Sequence, residues 1–162
     1  MPQNTYQEQV DQKRMLMIRS MLSALPRSCS DFIRSLLTTT SILTRLAYTI
    51  DLNTFFTFAG RELATFADKN VSELTDGDIA LVKARDIEMY SEYLTLYYKE
   101  EGSHNDQQQR ILKNQSYGVM RKLSSLRSYF NYLFRTERIP SNTAALVPLP
   151  KIHKKPILLL EP

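Results

Sequence analysis

A chain of 162 residues, 43% of them hydrophobic, can bury one core but has no room for a second full domain. Its single cysteine, Cys29, excludes an internal disulfide framework and a cysteine-built metal site; a buried apolar filler in a reducing cytoplasm is the expected setting. The net charge of +4 is segregated: from Arg110 onward ten Lys/Arg face two acids, a surplus of eight, so the first 109 residues carry a net of minus four and the last third is built to meet a polyanion.

Only four glycines occur, and apolar residues recur every three or four positions, so an all-α protein is expected. Residues 7–25 read as an amphipathic helix with Met15, Ile18, Met21, Leu22 and Leu25 inward and Pro26 as its stop. Lys13 and Arg14 precede an apolar run that Arg19 breaks after four residues, too short for a signal peptide core or a membrane span. A short helix over Asp31 to Leu37 follows. The run Thr38-Thr39-Thr40-Ser41 suits a helix start, because hydroxyls accept from first-turn amides, so the first core helix is set from Ser41 to about Gly60. Asp78 to Val82 forms a short helix. The next long one runs from Arg85 to Lys99, with Ile87, Tyr90, Tyr93, Leu94 and Tyr97 inward. Between Glu100 and Asn114 the chain turns Gly-, Asp- and Gln-rich and reads as a connector.

The segment Ser116 to Thr136 carries the most information. Val119, Leu123, Leu126, Phe130 and Leu133 are spaced 4, 3, 4, 3 and line one buried face. The opposite face is assigned Arg121, Ser125, Ser128, Tyr132 and Arg135, with Gly118 and Lys122 beside it. Small residues between long cations let a helix approach a phosphate-lined groove closely. After Pro140, a helical turn at Asn142 to Leu146 gives way to Pro148, Pro150 and Pro156, which hold the backbone extended around Lys151, His153, Lys154 and Lys155 as a basic linker. The apolar strip Ile157 to Pro162 has nothing to pack against, as a truncation would leave it.

In their order and separation these elements resemble the N-terminal core-binding (SAM-like) domain of the tyrosine recombinases, the phage-type integrases, over residues 38 to 160. Ser41, Thr44, Tyr48, Asp51, Leu52, Phe55 and Phe58 match the family-like S-x-x-T-x-x-x-Y-x-x-D-L-x-x-F-x-x-F. The run Arg121-Lys122-Leu123-Ser124-Ser125-Leu126-Arg127-Ser128-Tyr129-Phe130 is similar to R-[RK]-L-S-x-L-R-x-[FY]-[FY]. Asn142, Pro150-Lys151 and Lys155-Pro156 fall where the family has a turn and a basic connector. The chain departs from the pattern at Gly118, where threonine is common, and at Thr143, where proline is usual.

The resemblance implies a bundle of four main helices that clamps one side of a recombination half-site. It also implies a catalytic domain beyond this chain, so that the chain alone is no enzyme and its tyrosines pack rather than attack. Three parts are expected: an N-terminal helical extension (1–37) outside the resemblance, the core-binding domain (38–147), and a linker (148–162). Expected partners are double-stranded DNA and other recombinase protomers on it, with no membrane, small-molecule substrate or cofactor.

The expected DNA contacts are Ser41, Thr44, Arg45, Tyr117, Arg121, Lys122, Ser125, Lys151, Lys154 and Lys155. At Ser41, Thr44 and Arg45 a helix start favours a phosphate, yet the hydroxyls serve equally as caps. Tyr117 suits either a backbone contact or packing, and the three lysines either track DNA or solubilise a tail. Arg127, at the edge of the buried stripe, is expected to form an internal ion pair. His104 and His153 stand apart without neighbouring ligands, so no metal is assigned. A phosphate-cradling glycine loop and a nucleophile elbow are both missing from the sequence. The competing reading is a helical protein-interaction or oligomerisation module that docks through its methionine-rich first helix. A stand-alone helix-turn-helix repressor fits less well, for want of a short two-helix unit with a tight glycine turn.

Overall fold

The computed structural model describes residues 5–101 and 108–149; of these, the side chains of 97–101 and 108–116 are not described. Among the described residues every regular element is helical: α1 (Tyr6–Leu22), α2 (Arg27–Ser35), α3 (Ile42–Glu62), α4 (Asp76–Ile79), α5 (Ala84–Glu101) and α6 (Gln108–Arg135). Three 3-10 turns, Ala64–Phe66, Val71–Glu73 and Thr143–Leu146, fill the connections. None of these helices is long and apolar enough to cross a membrane.

Local chemistry sets the starts. Thr5 and Glu8 form a reciprocal capping box on α1, Ser41 accepts from the Thr44 amide at the head of α3, and Thr75 and Asp78 repeat the box on α4. The Lys83 amide donates to Asp86 Oδ2 at 2.9 Å where α5 begins. The end of α6 is also defined. Glu137 takes a left-handed backbone (φ 63°), its amide donates to the Phe134 carbonyl, and the Arg138 amide donates to that of Leu133 at 2.8 Å. This is a Schellman stop in which glutamate occupies the position glycine usually holds.

α3 and α6 form the axis around which the other helices pack. Val119, Leu123, Leu126, Phe130 and Leu133 are all buried, each worth about 1.5–3 kcal/mol relative to exposure. Opposite them lie Leu52, Phe55, Phe56 and Ala59 of α3 and Ile87, Tyr90 and Leu94 of α5. Their rings meet edge to face, as Phe55 does with Tyr90 at 5.1 Å and Phe56 with Tyr129 at 6.0 Å. Packing is thus the role of most tyrosines described: Tyr90 and Tyr129 are fully buried, and the Tyr129 hydroxyl lies 2.6 Å from Ser28 Oγ.

Ile18 of α1, Leu25 of the following turn and Cys29, Phe32 and Ile33 of α2 enter the same apolar cluster. Burial pushes the Cys29 thiol up to about 12, as expected of an inert filler. Sequence and structure differ in several places, and α1 ends at Leu22 rather than Leu25. α2 starts at Arg27 rather than Asp31, since Pro26 suits the residue before a helix as well as the residue after one. α6 starts at Gln108, inside the stretch read as connector, because glutamine has a helix propensity close to that of leucine. Met15, read as inward, is largely exposed.

Candidate nucleic-acid interface

The buried arc of α6 fixes what its outer side presents. With Val119, Lys122, Leu123, Ser125, Leu126, Tyr129, Phe130 and Leu133 inward, the outer stripe runs through Tyr117, Arg121, Ser124, Arg127, Ser128, Asn131 and Arg135. No acid occurs between Asp106 and Glu137, so the stripe is cationic along its described length. At its middle, α6 meets the first half of α3. There Thr44, Ala47 and Tyr48 face Arg121, Ser124 and Ser125 across a cleft of about 280 Å³.

Asp51 of α3 forms the floor of that cleft. Its side chain is 1% exposed and accepts from Ser125 Oγ at 2.6 Å, Lys122 Nζ at 3.0 Å and Arg121 at 3.1 Å. A buried carboxylate without partners is expensive, and this one is satisfied by two cations and a hydroxyl from a single turn of α6. The two cations are not equivalent. The Lys122 side chain is 8% exposed, whereas Arg121 is 56% exposed, giving Asp51 one nitrogen while its remaining donors face solvent.

The positions expected to touch DNA therefore divide. Arg121 and Thr44 lie on the rim of one cleft, and Tyr117 is exposed on the same stripe of α6. Lys122 and Ser125, by contrast, point inward and are occupied by Asp51, so the outer side of α6 is rotated toward Ser124, Arg127 and Ser128. The acid that draws them in belongs to α3, and reading α6 as an isolated face could not reveal it.

Ser41 caps α3, donating to Thr44 Oγ1 at 3.0 Å and accepting from the Thr44 amide at 3.2 Å. The Arg45 guanidinium donates to the carbonyls of Thr40 and Leu37, closing the loop between α2 and α3. Lys151, Lys154 and Lys155 lie outside the described residues. Arg127, expected in an internal ion pair, forms none among the described residues and is half-buried on the outer stripe.

The internal pair belongs to Arg138, which sequence reasoning did not single out. It donates to Asp76 through Nε at 2.9 Å and to Asp31 at 2.9 Å, tying α2 and α4 to the end of α6. These two carboxylates raise its affinity for the proton still further. Asp31 lies 107 positions away, a separation at which periodicity carries no signal. Among the described residues no cluster of His, Cys, Asp or Glu could hold a metal ion.

No family model matches the chain, and no solved structure matches it. A protein described as tyrosine recombinase XerC, from Natranaerobius thermophilus, is 33% identical to it over 93 residues. The aligned part is 54% of this chain and 31% of that protein, so the chain spans about a third of its relative's length.

Proposed function

We propose that this chain is the DNA-binding, core-binding part of a site-specific tyrosine recombinase, and that it clamps one side of a recombination half-site. One observation carries the reading: α6 turns a stripe of arginines and small polar residues, free of acids, outward beside the cleft it shares with α3. Arginines neutralise phosphates, and the serines between them let the backbone approach the duplex closely. The partial likeness to a tyrosine recombinase is consistent with this role, as is the order of motifs along α3 and α6. In the complete protein a separate catalytic domain performs strand exchange in the cytoplasm, on DNA shared with other protomers. Thr44, Arg45, Tyr117, Arg121, Arg127 and Arg135 are the contacts proposed within the described residues. Lys151, Lys154 and Lys155 extend them along the backbone.

The test is duplex binding by fluorescence anisotropy across a salt series. With about 4–6 phosphates neutralised, the log–log slope is roughly −3 to −5. Arg121→Ala, Arg127→Ala and Arg135→Ala combined should flatten it by about 2–3, at nearly unchanged thermal stability. Unchanged affinity and slope in the triple variant would remove this face from the interface. The second reading, a helical interaction module that ignores DNA, is favoured by the exposed Met15 and Leu16 of α1; it predicts no salt-dependent DNA binding and oligomers that dissociate when residues 1–25 are removed.

A further inference from the structure

The outer flank of α1 is apolar in the middle and oppositely charged at its two ends. Asp11, Gln12, Met15, Leu16 and Arg19 line a shallow groove of about 360 Å³ together with Ile42 of α3. Leu16 is 64% exposed and Met15 42%, at the centre of the groove. Through Met15, Arg19 and Ile42 the surface continues into a hollow of about 480 Å³ edged by Leu37 and Arg34. Glu8 and Asp11 place acid in the first two turns of α1, and Arg19 is the basic residue of its last turn.

We infer that this face pairs two copies of the chain, with α1 lying antiparallel to α1 of the second copy about a two-fold axis near Met15. Residues equally spaced on either side of such an axis face each other, so Asp11 meets Arg19 of the second copy and Arg19 meets its Asp11. The leucines and methionines between them cover one another. A surface whose charge reverses about its own apolar centre is complementary to itself, which singles out a second copy as the occupant. Among the described residues Asp11 accepts from Gln7 Nε2 at 3.0 Å and pairs with Arg14 at 3.4 Å, contacts within its own helix surface that contribute little each and can be exchanged. A single helix pair with a neighbouring hollow is a small interface, so the dimer dissociates at a concentration on the order of 10–100 μM. Neither DNA nor the α3–α6 cleft is involved.

Sedimentation equilibrium of the full chain without DNA, up to about 1 mM, is the experiment. The expected result is a monomer–dimer equilibrium whose dissociation constant rises about tenfold or more in Arg19→Glu, in Asp11→Arg and in Leu16→Gln. Far-UV circular dichroism, unchanged at these exposed positions, shows that the variants stay folded. Mixing Arg19→Glu with Asp11→Arg restores dimers, because each supplies the charge the other lost. A monomer at every concentration overturns the inference. So does a dimer indifferent to all three substitutions, or a mixture of the two charge variants that fails to recover association.

Discussion

Removing the Asp51 carboxylate separates a buried ion from an exposed one in a single site. In Asp51→Asn the amide oxygen still accepts from Ser125, but the Lys122 ammonium, 8% exposed, loses its one ionic partner among the described residues. Stranding a buried charge costs about 3–5 kcal/mol, a large share of a typical domain's stability of about 5–15 kcal/mol. Arg121, 56% exposed on the same carboxylate, can hydrate its free side instead, so its part is about 0–1 kcal/mol. Urea denaturation followed by far-UV circular dichroism should show Asp51→Asn destabilised by several kcal/mol. Asp51→Leu with Lys122→Met should recover most of that loss, since an apolar replacement of both partners strands nothing. In double-mutant cycles the Asp51–Lys122 coupling should exceed the Asp51–Arg121 coupling by about 2 kcal/mol or more. An Asp51→Asn variant within about 0.5 kcal/mol of wild type, or equal couplings, would refute the assignment of Lys122 to the interior.

Glu137→Gly should stabilise the chain by about 0.5–1 kcal/mol in the same assay, because glycine adopts the left-handed conformation there without a Cβ penalty. Arg138→Met should cost about 1.5–3 kcal/mol, measured by chemical denaturation, through the charged hydrogen bonds to Asp31 and Asp76. Cys29 resists ionisation when folded but not when unfolded. Stability should therefore be intact below pH about 9 and fall as pH climbs toward about 12, with Cys29→Ala showing a shallower decline in alkaline melts. At neutral pH, reaction of Cys29 with a thiol reagent should proceed no faster than global unfolding allows.

Which parts of this were legible in the sequence follows from the range of the forces involved. The helices of the core were, because spacing of three and four along α3, α5 and α6 is a local record of burial: all five inward residues assigned to α6 are buried. The cap at Ser41 was readable for the same reason, since its partner is three residues away. The orientation of Lys122 and Ser125 was not. Both lie at the margin of the apolar arc, where periodicity leaves the side undecided, and the deciding group is 71 and 74 positions distant. For the same reason the internal ion pair expected of Arg127 is formed instead by Arg138, for which the sequence suggested no role. A lone arginine gives no sign of which carboxylates the fold will bring to it.

The Schellman stop and the Arg138 tie have a mechanical consequence. The polypeptide leaves α6 through a turn whose next side chain is moored to two other helices, and Ile139, Ala144 and Val147 then enter the core. Tension applied beyond Leu149 is thereby spread across the whole bundle instead of peeling α6 open from its end. The end of α6 behaves as a bracket that holds residues 138–149 against three helices at once.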